Sequence, residues 1–153
     1  STVHTNDAAA AISRLTEMGI EPFLTVSSLS CVLAQRLVRV LCPHCRQPYE
    51  MPRSDAENIP DFPLESGEEV VRLYRPAPHG CMRCSNTGYR GRMGVFEFLP
   101  VGETIQRLTL ERRSAREIKE AAVAEGMITL RQDGLMKVKQ GLTSLEEVMR
   151  VVL

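Results

Sequence analysis

Two Cys-x-x-Cys pairs are the feature that most constrains this chain. Cys42 and Cys45 form the first pair, Cys81 and Cys84 form the second, and 35 residues separate them. The two residues within each pair let a tight turn present two thiolates to one tetrahedral ion. Both pairs can share that ion, whatever the length of the segment between them. The gap exceeds the roughly 15–20 residues of a zinc ribbon, which favours an inserted zinc subdomain. Four thiolates leave no ligand position open for water, so the predicted Zn²⁺ is structural.

Redox chemistry and histidine ligation are alternative interpretations of these residues. A redox Cys-x-x-Cys pair normally begins a helix in a thioredoxin-like βαβ unit, and no such setting is evident around either pair. His44 and His79 lie beside the pairs and can replace a ligand, although four thiolates suffice. Cys31 precedes Val32 and Leu33 and is predicted to be a small buried residue on an apolar helix face.

The charge balance and hydropathy of the chain argue against a nucleic-acid-binding protein and against a membrane-spanning protein. Nineteen basic residues balance nineteen acidic ones, so the basic excess expected of a nucleic-acid-binding protein is missing. No stretch approaches the roughly 20 apolar residues that span a bilayer, and no signal-peptide pattern is evident. Cys-x-x-Cys pairs also favour metal ligation in a reducing compartment over an extracellular disulfide framework. The sequence predicts a globular cytoplasmic protein without a nucleic-acid partner.

The chain begins with a predicted strand end followed by helices. The β-branched run over 1–5 is typical of a strand. Asn6 or Asp7 can then cap a helix that is predicted to end near Gly19. A second helix is predicted from Pro22, because proline is favoured in the first turn of a helix.

The middle of the chain is predicted to contain short strands around an insertion. The apolar face of the second helix is predicted to continue to Leu33 at a spacing of three and four residues. A strand is then predicted over 35–41, directly before the first cysteine pair. The segment 48–69 is rich in Pro, Asp and Glu and is predicted to have little core of its own. Further strands are predicted over Val70–Arg75 and over 95–99.

Capping boxes predict helices over roughly the last fifty residues. In such a box the side chains of the first and fourth residues bond to each other's backbone NH groups. The three boxes are Ser114 with Glu117, Thr129 with Gln132, and Thr143 with Glu146. Gly126 and Gly141 supply matching helix ends. This part of the chain is predicted to be a compact helical bundle.

A glycine-punctuated segment offers a second candidate site. Gly88, Gly91 and Gly94 recur every three residues without opening an evident helix. The structural interpretation is a turn that lets the backbone fold closely. In the functional interpretation Arg90 and Arg92 flank a bound anion or nucleotide, because a guanidinium group can bind phosphate or stack on a base.

The sequence contains no phosphate-binding loop. Such a loop needs a lysine directly after a glycine, and none of the three lysines, Lys119, Lys137 and Lys139, has a glycine before it. The dinucleotide-binding Gly-x-Gly-x-x-Gly pattern is also missing. Nucleotide hydrolysis by these 153 residues alone is therefore not expected.

Several contiguous segments resemble the ATPases of type II secretion and type IV pilus assembly. They include Ser-Thr-Val-His-Thr-Asn-Asp at the start, Cys-Pro-His-Cys, Thr-Gly-Tyr-Arg-Gly-Arg, and Gly-Val-Phe-Glu. The matching segments are 1–7, 18–24, 32–39, 42–45, 87–92, 94–97 and 133–148. Only the segment around 51–75 has no counterpart.

This resemblance implies a hexameric ATPase with a RecA-like P-loop core, which couples ATP hydrolysis to pilus or pseudopilus growth. It implies a cytoplasmic location at the inner membrane, with secretion or pilus platform proteins as partners. The segment 1–7 is similar to the family's histidine box beside the nucleotide phosphates, which makes His4 the candidate catalytic residue. The family's residues for ATP and Mg²⁺ lie upstream of this segment, so both ligands are expected only in the full-length protein.

The resemblance also implies a domain order. Residues 1–41 would be the C-terminal part of the RecA-like core, 42–88 a zinc-binding insertion, 89–101 a return to the core, and 102–153 a C-terminal helical region. Loss of the metal is then expected to loosen the insertion and leave the capped helices folded. The alternatives are a stand-alone zinc module that binds other proteins and a cysteine-based oxidoreductase.

Overall fold

The computed structural model describes residues 1–152 as a mixture of helices and strands. The helices are α1 (Ala8–Glu17), α2 (Pro22–Ser28), α3 (Arg53–Glu57), α4 (Glu103–Leu110), α5 (Ala115–Ala124), α6 (Leu130–Lys139) and α7 (Leu145–Val152). The strands are β1 (Cys31–Leu41), β2 (Gln47–Pro52), β3 (Val70–Arg75) and β4 (Tyr89–Pro100). The predicted α/β class is confirmed. Within the described residues, no helix combines the length and apolar character needed to cross a bilayer.

The chain divides into two compact units. Unit 1 comprises Ser1–Gln35 and Phe96–Leu130, and unit 2 comprises Arg36–Val95 and Arg131–Leu153. The four helices that follow Gly102 are shared between them. Helices α4 and α5 belong to unit 1, whereas α6 from its second residue and α7 belong to unit 2 together with all four paired cysteines.

The predicted first helix is confirmed, but the strand before it is not. The side chain of Asp7 caps α1 by accepting a hydrogen bond from the backbone NH of Ala10 at 2.8 Å. Gly19 follows the helix with a φ of 86°, which is the left-handed conformation of a C′ glycine. Residues 1–5 have no regular structure. β-Branched residues favour extended backbone, but a strand also needs a hydrogen-bonded neighbour.

The second helix is shorter than predicted, because a strand replaces its second half. Pro22 begins α2 as expected, but the helix ends at Ser28 and β1 begins at Cys31. Exposure then alternates along β1, and Leu33 is 59% exposed. The prediction that Cys31 is buried on a helix is wrong, because this residue is exposed at the start of the strand. Apolar residues three or four apart match a helix, but the same run also satisfies a period of two.

Strands β1 and β4 form an antiparallel pair. The order of the sheet places them side by side. In unit 1 the NH of Val101 donates to the carbonyl of Ser30 at 3.0 Å. In unit 2 the NH of Cys42 donates to the carbonyl of Gly88 at 2.9 Å. The start of one strand thus meets the end of the other. Both strands extend the predicted segments 35–41 and 95–99.

Unit 1 has a core that α1, α4, α5 and the end of β4 supply. Its buried members are Ala8, Ala9, Ile12, Leu99, Val101, Ile105, Ile118, Ala122 and Met127. Helix α5 begins with the predicted capping box, in which Ser114 and Glu117 bond to each other's backbone NH groups. Gly126 follows α5 with a φ of 97°, which confirms this predicted helix end.

Unit 2 contains a pair of antiparallel strands, of which the sequence predicted the second, β3, but not the first, β2. Strand β3 has the predicted bounds, and it pairs antiparallel with β2 from Gln47 opposite Arg75 to Pro52 opposite Val70. Val71 is buried, as are Leu73 and Ala56 of α3. The insertion therefore has a small core. Strand β2 was not predicted because it contains two prolines, and proline in a sheet is largely confined to edge strands, first residues and bulges.

The side-chain cap of the last helix lies one residue after the position that the sequence predicted. Helix α7 begins at Leu145, and the hydroxyl oxygen of Ser144 accepts the backbone NH of Glu147 at 3.2 Å. The hydroxyl of Thr143 instead donates to the carbonyl of Arg39 at 2.8 Å. Gly141 supplies the predicted end of α6 with a φ of 72°. Adjacent Thr and Ser residues are both candidate N-caps, and here Thr143 bonds to β1 while Ser144 caps the helix.

Candidate metal centre

Two tight turns bring the four cysteine thiols together in unit 2. The first pair follows β1 directly, and the NH groups of Cys45 and Arg46 both donate to the carbonyl of Cys42. The second pair lies on the single 3-10 turn Met82–Cys84, where the NH of Cys84 donates to the carbonyl of Cys81. All four sulfur atoms lie within 4.8 Å of one another.

The distances between sulfur atoms fit a tetrahedral metal ion. The Cys42–Cys81, Cys45–Cys84 and Cys81–Cys84 sulfur atoms are each 3.8 Å apart. Zinc–sulfur bonds of about 2.3 Å at tetrahedral angles require a sulfur–sulfur distance of about 3.8 Å. A disulfide would need about 2.05 Å. The cluster can therefore hold one metal ion, and its four-thiolate chemistry is consistent with Zn²⁺.

Backbone NH groups support one of the four thiols directly. The sulfur of Cys84 accepts hydrogen bonds from the NH of Cys81 at 3.1 Å and from the NH of Gly88 at 3.2 Å. Burial alone would raise the pKa of Cys84, but these donors outweigh it and lower the pKa to about 6. Burial, together with hydrogen bonds to the three neighbouring thiols, raises the pKa of Cys45 to about 12. A metal ion must displace such protons, which links metal binding to proton release.

Glycine is required at two positions of the second turn. Gly80 has a φ of 54°, and a Cβ there would lie 2.4 Å from the backbone carbon of Asn86. Gly88 has a φ of 75°, and a Cβ there would lie 2.5 Å from the Cβ of Pro76. Both glycines permit backbone approaches that any other residue would block. They hold the loop in which Cys84 receives its hydrogen bonds.

Replacing Gly80 with Ala is expected to abolish stable metal binding, because the new Cβ cannot fit against Asn86. Gly67→Ala is a matched control, since Gly67 has a φ of 79° in open space. It adds only the backbone strain, about 1 kcal/mol. Metal analysis after purification without added metal should give about one zinc per chain for the unaltered protein and for Gly67→Ala. Full occupancy in Gly80→Ala would contradict this account of the turn.

The nearby histidines do not lie among the clustered ligand atoms. Nitrogen atoms of the His44 ring lie 3.1 Å from the guanidinium group of Arg83, and both side chains are exposed. His79 is also exposed. Within residues 1–152, the cluster of metal-binding atoms contains the four thiols and neither histidine.

The predicted nucleotide residues lie in different units. His4 is exposed in the irregular segment before α1, in unit 1. Arg90 and Arg92 are exposed near the start of β4, in unit 2. The role of each at a nucleotide site stays a prediction.

A buried glutamate joins two helix starts in unit 1. Glu97 is 1% exposed, and its two carboxylate oxygens accept the backbone NH groups of Ala8 at 2.9 Å and of Leu130 at 3.2 Å. These residues begin α1 and α6, where unpaired NH groups and the helix dipoles stabilise an anion. A signal was available in the sequence. Glu97 lies two residues from both Val95 and Leu99, so it shares the inward-facing side of β4 with them.

A second buried glutamate anchors α7 in unit 2. The carboxylate of Glu147 accepts three hydrogen bonds from Arg39, one from the backbone NH at 3.0 Å and two from the guanidinium group at 3.0 and 2.7 Å. Arg150 donates two more. Burial alone would raise the pKa of Glu147, but both guanidinium groups outweigh it and lower the pKa to about 2. The predicted box had assigned the capping role to the preceding glutamate, Glu146.

Comparisons with known proteins agree with the motifs. The family model described as "Type II/IV secretion system protein" matches residues 1–150. The chain is 48% identical over 151 residues to the Type II secretion system ATPase E of Vibrio cholerae serotype O1, covering 99% of this chain and 29% of that protein. It is 47% identical over 150 residues to the Type IV pilus assembly ATPase PilB of Thermus thermophilus, covering 97% and 16% respectively.

A third relative extends the pattern. The Type II secretion system protein E of Dickeya dadantii is 47% identical over 151 residues, which cover 99% of this chain and 28% of that protein. The chain thus spans less than a third of the length of each of these three relatives. Because the family model matches nearly all of its residues, the chain belongs to the type II/IV secretion system protein family.

Proposed function

We propose that this chain is the C-terminal part of an ATPase that powers type II protein secretion or type IV pilus assembly. The observation that carries the proposal is the family match over residues 1–150, together with similar identity to relatives named for both processes. The whole protein would work as a hexamer in the cytoplasm, against platform proteins of the inner membrane.

The proposed domain order assigns chemistry to other parts of that protein. Residues 1–41 and 89–101 would complete a RecA-like core, 42–88 would carry the zinc, and 102–153 would form the helical region. The zinc would be structural, because four thiolates occupy every position of a tetrahedral site. ATP and Mg²⁺ would bind mainly to a phosphate loop that these 153 residues do not contain.

His4, Arg90 and Arg92 are the proposed contributions of this chain to the nucleotide site. An imidazole can polarise or sense the γ-phosphate, and guanidinium groups can neutralise developing charge during phosphoryl transfer. The exposure of all three side chains leaves them accessible to a ligand.

A phosphate-release assay tests this proposal. The 153-residue chain is expected to show no turnover above background, whereas His4→Ala in the full-length ATPase should lower kcat at least about tenfold with nucleotide binding retained. His79→Ala is the control, because this histidine is also exposed, lies outside the cluster of four thiols and has no proposed role at the nucleotide site. Turnover that co-purifies with the short chain would overturn the expected inactivity. Unchanged kcat in the His4 variant would exclude a catalytic role for His4.

A further inference from the structure

The segment just before α7 is hydrogen-bonded to β1, the strand that leads into the first cysteine pair. We call residues 141–147 the scaffold turn. The NH of Leu41 donates to the carbonyl of Leu142 at 2.9 Å, one residue before the metal-ligating Cys42. The hydroxyl of Thr143 donates to the carbonyl of Arg39 at 2.8 Å. The scaffold turn therefore continues the hydrogen bonding of β1 up to the cysteine.

The same turn is bonded to the strand that leaves the second cysteine pair. The hydroxyl groups of Tyr89 and Ser144 are hydrogen-bonded at 2.8 Å. Tyr89 begins β4 directly after Gly88, whose NH donates to the sulfur of Cys84. The guanidinium group of Arg39 also lies 4.1 Å from the centre of the Tyr89 ring, within the range of a cation–π contact.

Glu147 connects these contacts through Arg39. Its buried carboxylate holds both the backbone NH and the guanidinium group of Arg39, and that guanidinium group packs on Tyr89. At the other end of the scaffold turn, Arg46 donates to the carbonyl of Gly141, and a Cβ at Gly141 would lie 2.7 Å from the Tyr74 ring. Every contact named here lies within unit 2.

We infer that the scaffold turn is part of the metal centre's support, and that metal retention is coupled to the docking of α7. Glu147 is a positioning residue for the metal ligands, although it lies 63 residues beyond Cys84 in the sequence. By linkage, whatever loosens α7 weakens metal binding, and loss of the metal loosens α7 by the same free energy. The inference rests on the proposed zinc site.

The rate at which zinc passes to a chromogenic chelator tests the coupling. Glu147→Gln keeps the shape of the side chain and removes its charge, and it is expected to release zinc at least about tenfold faster. Glu146→Gln removes an exposed charge from the same helix and should leave the rate unchanged. Lys139→Gln removes ion pairs to Glu65 and Glu68 elsewhere in unit 2 and should also have little effect.

A milder variant keeps the test decisive if Glu147→Gln does not fold. Tyr89→Phe removes only the hydroxyl bond to Ser144 and should speed zinc release by a few-fold, on the order of one lost hydrogen bond. Unchanged release in the folded variants would overturn the inference. So would equal acceleration by Lys139→Gln, which would indicate general destabilisation. If the unaltered chain binds no zinc, the proposed zinc site itself fails and the inference falls with it.

Discussion

Replacing Cys81 with Ser is expected to loosen unit 2 and leave unit 1 folded. The variant lacks one of four ligands, and a structural zinc site contributes on the order of 10 kcal/mol of apparent binding free energy. The sequence alone predicted that the capped helices would all stay folded. Unit 2 includes Arg131–Leu153 as well as the insertion, so α6 and α7 should instead lose protection together with residues 36–95. Unit 1 keeps its own apolar core.

Hydrogen exchange measured by mass spectrometry checks this result. Amides of α7 in the Cys81→Ser variant should exchange much faster than in the unaltered chain, while those of α1 and α5 should change little. Cys31→Ser is the matched control, since this exposed cysteine lies outside the cluster. If α6 and α7 stay protected while the insertion opens, the metal supports the insertion alone. Equal loss in both units would instead indicate one cooperative core.

Replacing Glu97 with Gln is expected to lower the free energy of unfolding of unit 1 by about 2–3 kcal/mol. The two carboxylate oxygens of Glu97 accept NH groups from Ala8 and Leu130. An amide has only one oxygen, so one buried NH would face an NH₂ group and lose its acceptor. The favourable interaction of a negative charge with two helix starts would also be lost.

Chemical denaturation of the zinc-loaded protein, followed by circular dichroism, measures this change. Glu103→Gln is the control, because Glu103 is exposed in the first turn of α4 and its charge contributes less than about 1 kcal/mol. A loss in Glu97→Gln no larger than in the control would show that Glu97 does not need both acceptor oxygens.

Local chemistry made much of this protein predictable from its sequence. The spacing of the cysteines predicted the four thiols that cluster in the structure, because a two-residue gap lets a turn present two thiols to one ion. Asp7 and Ser114 identified helix starts, since capping side chains act within four residues of their own position. The family resemblance, which rests on contiguous motifs, agrees with the match over residues 1–150.

Tertiary structure decided the features that depend on residues distant in the sequence. The apolar run near Leu33 fits a helix or a strand, and pairing between β1 and β4 selects the strand. Thr143 and Ser144 are both candidate N-caps of α7, and Ser144 takes this position because Thr143 and Glu147 both bind Arg39. The division into units likewise follows contacts rather than chain order. Hydrogen bonds and buried charges across a hundred residues leave no periodic pattern, so only the folded chain shows that Thr143 and Glu147 bond to the strand that leads into the cysteine cluster.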